Sequence, residues 1–220
     1  MKNIPITSSQ ITTLLQKGYE AVVDGSIPGM ASAEELAASY LKDHPDKMAA
    51  ANALVRRQNA KCAACGLLLG ATGSLAIPVT LPADLVSTTI IHLRTTAAIA
   101  AIAGYDLRDD RVQTLVLLTL TGESVDKLLR PMGISTAQAL ATAGINAIPR
   151  RFIGRINAAI GKRLISKFSE KGIIQLGKLV PLAGGILSAA VDGAMSHMIA
   201  KVAIKTFLKP ETCLTCRMAA

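Results

Sequence analysis

The long apolar stretches of this chain, each broken by glycine or proline, restrict its fold more than any other feature. Apolar residues recur at helical spacing from about Ser9 to Val23, and no stretch alternates convincingly between apolar and polar positions. Ser32-Ala33-Glu34-Glu35 has the form of a capping box, which predicts a helix ending near Asp43. The pattern predicts an all-α fold, a compact multi-helix domain with glycine- and proline-broken apolar helices.

The same breaks set the other predicted helix boundaries. Pro78 and Pro82 bracket a break, Gly104 stops a helix, Asp106 caps the next one, and Pro149 opens another. We therefore expect helices at about 46–69, 83–103, 106–120, 149–171 and 181–208, with shorter helices between 123 and 142.

Composition fits a chain with a sizeable core built from small and aliphatic residues. Half of the residues are apolar, yet only three Phe, three Tyr and no Trp accompany 17 Gly. Small residues let helices approach closely. We divide the chain into an N-terminal helical segment (1–45), a helical domain (46–208) and a cysteine-containing tail (209–220).

Two parts of the helical domain show a weak internal sequence similarity. A glycine-rich apolar segment, a proline and an Asp-bearing helix follow one another at Gly66–Leu93 and again at Gly177–Ile204. Asp84 and Asp192 are the matching acids. Because the spacings differ, we interpret the similarity as a loose pseudo-repeat of two halves.

Three apolar segments approach the length of a membrane span, at 63–81, 85–104 and 173–191. Each contains charged residues, histidine or helix-breaking glycine and proline, so buried helices or a shallow hairpin are favoured over a span. Residues 1–10 lack the apolar core of a secretory signal. We expect a protein on the cytoplasmic side whose thiols stay reduced.

Positive charge is concentrated between Arg150 and Lys178, which hold eight lysines and arginines and one acid. Apolar residues recur there every fourth position from Phe152 to Phe168, with most of the cations elsewhere on the helix. This pattern is typical of a helix lying on anionic lipid, but an ordinary surface helix with a solvated basic face has it too. The candidate lipid-binding residues are Arg151, Arg155, Lys162, Arg163, Lys167 and Lys171.

Polar residues form stripes on two apolar helices. Asp84 and His92 fall on one face of the first helix, and Asp192 is followed by Ser196 and His197 on the last. A cavity lined by Asp84, His92, Asp192 and His197 would suit a hydrolase. We favour buried stripes that bond to each other, because no nucleophile or metal accompanies them.

The four cysteines form two Cys-x-x-Cys pairs, Cys62/Cys65 and Cys213/Cys216. This spacing suits tetrahedral zinc, which would fasten the tail to a long helix. Alternatively the cysteines only fill small packing positions. Asp106, Asp109 and Asp110 suit magnesium by ligand type, but their position at a helix start favours capping.

The chain resembles the bacterial EcsC family over most of its length, from about Ala49 to Phe207. The block Gly104–Thr121, containing Gly-Tyr-Asp-Leu-Arg-Asp-Asp-Arg-Val-Gln-Thr-Leu, carries the resemblance most specifically. The other matching residues are Gly66, Gly70, the Pro78–Asp84 turn, Arg94, Arg163, Phe168, Glu170, Lys171, Gly172, Gly177, Pro181, Gly184, Gly185, Asp192 and Phe207. The resemblance implies a helical, apolar bacterial protein from a family that takes its name from an operon with an ABC transporter and whose biochemical role is not established.

Two functions follow from these patterns. The net charge of +9 suggests an anionic partner, either a lipid surface or nucleic acid. The scarcity of aromatics argues against single-stranded nucleic acid, and we expect no specific nucleic-acid partner. We therefore favour a non-enzymatic helical protein, peripheral to the inner membrane, that binds anionic lipid or a membrane protein and needs no cofactor apart from the zinc considered above. The alternative is a hydrolase acting on a lipid-like substrate in the Asp/His cavity.

Overall fold

A computed structural model describes residues 8–71, 77–132, 148–168 and 184–208 of the chain. Within these ranges the regular structure is helical and no β-strand occurs, which confirms the predicted all-α class. The α-helices are α1 (Ser8–Asp24), α2 (Ala33–Asp43), α3 (Lys47–Ala71), α4 (Ile77–Ala103), α5 (Asp110–Thr119), α6 (Val125–Leu129), α7 (Ile153–Phe168) and α8 (Gly184–Phe207). Short 3₁₀ turns at Arg130–Met132 and Arg150–Phe152 follow α6 and precede α7.

The start of α2 confirms the predicted capping box. The Glu35 main-chain N–H donates to Ser32 Oγ at 3.1 Å, and the Ser32 N–H donates to Glu35 Oε2 at 2.9 Å. Two amides that the first helical turn leaves free are satisfied reciprocally. The local sequence therefore determines where α2 begins.

Helix α4 begins earlier than predicted, because it runs through both prolines. It starts at Ile77 rather than Ala83. Pro78 lies in the first turn, where a main-chain N–H has no helical partner in any case. Pro82 lies one turn further along and removes a single main-chain hydrogen bond. The expectation that Pro78 and Pro82 bracket a break in the helical structure was therefore wrong.

The end of α4 is fixed by a Schellman motif at Gly104. Gly104 has φ +99°, its N–H donates to Ala101 O at 2.9 Å, and the Tyr105 N–H donates to Ala100 O at 3.1 Å. Lys47 Nζ donates to Ala103 O at 2.8 Å and so satisfies another free carbonyl. A glycine is needed here because an L side chain is strained at this φ.

Helix α5 is capped by Asp109, not by Asp106 as the sequence suggested. Asp109 Oδ1 accepts the Arg111 N–H at 2.8 Å, and the Arg111 side chain binds the same carboxylate through Nε and Nη2. Asp106 instead closes a preceding turn by accepting the Arg108 N–H at 2.8 Å. The contact with Arg111 lowers the pKa of Asp109, because it favours the ionised carboxylate.

Helix α4 lies at the centre of the bundle and contacts α1, α2, α3, α5 and α8. Its residues from Thr95 to Ala100 are all buried. Helices α3 and α8 form the most extensive pair, and Ser196 Oγ on α8 donates to Asn59 Oδ1 on α3 at 2.7 Å. One core also includes residues of α1 and α2, so the segment 1–45 and the domain 46–208 share a hydrophobic interior.

Helix α1 is fastened to the loop between α4 and α5 by a buried hydrogen bond. The Tyr19 hydroxyl donates to Leu107 O at 2.7 Å, and both residues are buried. Burial, reinforced by the negative charges of Asp106, Glu34 and Asp109, raises the pKa of Tyr19 well above its ordinary value. The hydroxyl therefore stays protonated and available as a donor.

Among the described residues, no helix combines the length and apolar character required to cross a membrane.

Three sequence expectations concern residues outside the described ranges. The proposed spans 63–81 and 173–191 each include positions that are not described, as do both halves of the pseudo-repeat. The cysteine-containing tail, from Lys209 onward, lies wholly outside them.

Candidate functional site

Helix α7 presents one face to the core and another to solvent. Pro149, at φ −67°, leads into the 3₁₀ turn that continues directly as α7. Ile156, Ile160 and Leu164 are buried, and the helix packs on α1 and α5. These three residues, the middle of the apolar stripe, therefore belong to the protein core.

The opposite face of α7 and its preceding turn is basic and solvent-exposed. Arg150, Arg151, Arg155 and Lys162 are all exposed. Within the part of the chain that the structure describes, none of these four cations forms an ion pair. We call this set the α7 basic face. It offers four exposed positive charges, although the charge of Arg150 also acts on Asp109 and helps to lower its pKa.

Phe152 lies beneath two of these cations. Its ring centroid is 5.2 Å from Arg151 Cζ and 6.0 Å from Arg155 Cζ. Guanidinium groups over an aromatic ring gain a modest cation–π attraction. The contact places both arginines side by side on the exposed surface, and among the described residues neither of them forms an ion pair.

Arg163 has a different environment from the rest of the predicted lipid-binding set. It forms an ion pair with Glu123, which also attracts Lys127, the closest N–O distance of that second pair being 3.8 Å. The contact joins α7 to the segment before α6. Arg163 is therefore engaged with the protein itself and is less available than Arg151, Arg155 or Lys162.

Two other predicted lipid-binding residues cannot be compared with these. The side chain of Lys167 and the whole of Lys171 lie outside the described residues. Arg150 was within the basic segment but not among the six candidates chosen from the sequence. Its place at the start of the same run of cations was the signal that it shares their face.

The predicted Asp/His cavity is only partly within the described residues. His92 is buried on α4, whereas His197 is exposed on α8. Ser196, beside His197, bonds to Asn59 of α3. The side chains of Asp84 and Asp192 lie outside the described residues, so the convergence of all four groups stays a prediction.

The predicted zinc site also falls on side chains that are not described. Cys62 and Cys65 lie on α3, but their side chains, like Cys213 and Cys216, are outside the described set. The described residues contain no cluster of three or more His, Cys, Asp or Glu that suits a metal ion. Metal analysis of the freshly purified, reduced protein tests the zinc prediction directly.

The acids at the start of α5 act locally. Asp109 caps the helix and Asp110 lies in its first turn, where the helix dipole favours negative charge. The acids therefore serve the helix start, as the sequence predicted, although the cap is Asp109 and not Asp106.

Comparison with known proteins adds no relative to this picture. No family model matches the chain, and searches of curated proteins and of solved structures found no match. The resemblance to the EcsC family therefore stays a prediction based on the residues quoted above.

Proposed function

We propose that the protein is a non-enzymatic, peripheral membrane-binding protein that docks its α7 basic face on an anionic lipid surface, at the cytoplasmic side of the bacterial inner membrane. The observation that carries the proposal is the pairing of two features on one helix. Arg150, Arg151, Arg155 and Lys162 are exposed without a described ion pair, while Ile156, Ile160 and Leu164 of the same helix are buried. An assignment to the EcsC family would fit this role.

The burial of the stripe determines the kind of membrane contact. Ile156, Ile160 and Leu164 are already packed in the core, so they are not available for insertion into lipid. Binding would rest on Coulomb attraction, worth about 1 kcal/mol for each Lys or Arg close to an anionic surface. Such attraction is screened beyond about 10 Å at 0.1 M salt. We therefore expect reversible, salt-sensitive docking rather than insertion.

Cosedimentation with vesicles tests the proposal. The wild-type protein should bind vesicles of phosphatidylcholine mixed with phosphatidylglycerol and should not bind pure phosphatidylcholine. Reversing Arg151, Arg155 and Lys162 to Glu should weaken binding by at least about two orders of magnitude, because three favourable contributions of about 1 kcal/mol are lost.

A matched variant separates this face from the overall charge of the protein. Arg56, Arg57 and Lys205 are exposed on α3 and α8, and changing them to Glu alters the net charge by the same amount. This variant should lose much less affinity. Equal losses in the two triple variants would show that net charge alone attracts the protein, and the α7 basic face would no longer be the site.

A membrane protein as the true partner is a distinct outcome of the same experiment. In that case purified lipid vesicles would fail to bind the wild-type protein, whereas native inner-membrane vesicles would bind it and lose that binding after protease treatment. This result would overturn lipid docking and retain a membrane partner.

A further inference from the structure

A pocket separate from α7 lies between α3, α4 and the connection from α1 to α2. Its volume is about 220 Å³. Its wall combines two cations, one amide, two apolar side chains and a glycine: Arg94, Lys61, Gln58, Ile91, Met30 and Gly29. The volume is somewhat below the 300–1,000 Å³ common for pockets that hold drug-sized ligands. A small ligand is therefore the appropriate size.

Arg94 is the most unusual residue of the pocket. It is half-buried on the largely apolar helix α4, and its Nε is enclosed without a hydrogen-bond partner among the described residues. Burial lowers the pKa of Arg94, an effect that Glu35 and Tyr40 partly oppose. A guanidinium remains protonated in proteins all the same. A partly desolvated cation of this kind is costly unless an acceptor pairs with it.

Glu35, whose charge acts on Arg94, does not serve as that acceptor. Glu35 contributes to the field at Arg94, but its carboxylate holds the Ser32 N–H in the capping box. Among the carboxylates whose side chains are described, none lies within ion-pair distance of Arg94. Arg94 therefore lines the pocket with an Nε that has no acceptor among the described residues.

Gln58 and Lys61 supply further donors from α3. They are three residues apart, so they share one face of that helix. Gln58 is buried and Lys61 is exposed at the edge of the pocket. Arg94 on α4 and these two residues on α3 place N–H donors around the pocket. Two of the three side chains, Arg94 and Lys61, are positively charged. Ile91 and Met30 provide apolar surface beside them.

We propose that this pocket binds a phosphate group carried on a small organic moiety, either a free phosphomonoester or the headgroup of a phospholipid. Arginine's planar fork matches the tetrahedral oxyanion and binds it through two hydrogen bonds. Lys61 adds a second charge at the edge, Gln58 adds a neutral donor, and the apolar side chains contact the organic part. The proposal does not depend on membrane docking through the α7 basic face.

Isothermal titration calorimetry with glycerol 3-phosphate, at constant ionic strength, tests the pocket. The wild-type protein should bind it saturably. Arg94→Gln should weaken binding by about 10- to 100-fold, because a charge-assisted hydrogen bond in a partly enclosed site is lost. Lys61→Gln should weaken it by only about two- to fivefold, since an exposed ion pair contributes less.

Two controls keep the result specific. Arg57→Gln removes one exposed charge from α3, outside the pocket, and should leave affinity unchanged. Arg94→Lys retains the positive charge but lacks the planar guanidinium that donates two parallel hydrogen bonds. Its affinity should therefore lie between those of the wild type and Arg94→Gln. Thermal unfolding of each variant without ligand shows whether the fold is intact. Absence of saturable phosphate binding by the wild type, or unchanged binding by a folded Arg94→Gln protein, would overturn the proposal.

Vesicles distinguish the two sources of the phosphate group. Binding to phosphatidylcholine vesicles containing phosphatidic acid, lost in Arg94→Gln and competed by glycerol 3-phosphate, would identify a lipid headgroup. Binding of glycerol 3-phosphate without Arg94-dependent vesicle binding would identify a free phosphomonoester. Changing Arg151, Arg155 and Lys162 to Glu should leave the calorimetric binding of glycerol 3-phosphate intact. The experiment therefore distinguishes a failure of the α7 docking proposal from a failure of the pocket proposal.

Discussion

Replacing Tyr19 by Phe should destabilise the protein at neutral pH and change how its stability responds to alkali. The substitution removes only the hydroxyl that donates to Leu107 O at 2.7 Å. Because Leu107 is fully buried, its carbonyl then has no access to water. The loss of a buried hydrogen bond with one partner left behind costs about 1–2 kcal/mol.

The pH dependence follows from the raised pKa of Tyr19. In the unfolded chain a tyrosine ionises with a pKa of about 10, whereas in the folded protein Tyr19 remains protonated to higher pH. The stabilising effect is therefore fully present below pH ~10 and is lost as pH rises above that value. The loss is about 1.4 kcal/mol per pH unit. The stabilities of wild type and Tyr19→Phe should become equal near pH ~11.

Urea unfolding of both proteins, from neutral pH to above pH ~11, measures this difference. The other titrating groups are common to both proteins and cancel in the comparison. Tyr40→Phe, which alters a partly exposed tyrosine, serves as the control and should follow the wild type more closely. Equal stability at neutral pH, or a difference that stays constant through pH ~11, would refute the role given to the Tyr19 hydroxyl.

Three further changes test the core, the end of α4 and the start of α5. Ile160→Ala should lower the free energy of unfolding by about 2–4 kcal/mol, because Ile160 is buried; a negligible change in urea unfolding would mean that the α7 stripe is not in the core. Gly104→Ala should cost about 1–3 kcal/mol, since the backbone there has φ +99°. Gly154→Ala, on an open helical surface, should instead stabilise by about 0.5–1 kcal/mol, and the same sign for both glycine variants would contradict this reasoning. Asp109→Ala should cost about 0.5–2 kcal/mol by removing the α5 cap. Because the folded pKa of Asp109 is lowered, that difference should be complete above pH ~4, the pKa of an unfolded Asp, and disappear as pH falls through the folded pKa; a difference independent of pH would refute it.

Local chemistry explains which parts of the fold could be predicted from the sequence. The capping box at Ser32 and the stop at Gly104 involve residues within a few positions of each other, so both appear in the sequence and in the structure. The sequence did not determine whether Asp106 or Asp109 caps α5. Both residues accept a main-chain N–H two positions ahead, and only the true start of the helix distinguishes them.

Features that depend on distant parts of the chain were not predictable in the same way. The charge pattern identified the basic character of α7, but the burial of its apolar stripe requires the surfaces of α1 and α5. Arg94 was visible as a charge on an apolar helix. Its pocket is completed by Gln58 and Lys61 on α3, and no sequence spacing connects those positions. The pairing of Arg163 with Glu123 joins residues 40 positions apart.

The packing of α3 against α8 has a consequence for how this protein is made in the cell. Asn59 and Ser196, which bond across that interface, are 137 residues apart. At a synthesis rate of about 5–20 residues per second, roughly seven to thirty seconds separate the appearance of the two positions. During that interval Leu54 and Val55, buried in the finished protein, belong to a helix whose most extensive partner has not yet been translated. Nascent chains paused before α8 should therefore be good chaperone substrates and sensitive to protease, and should lose both properties once that helix has emerged from the ribosome.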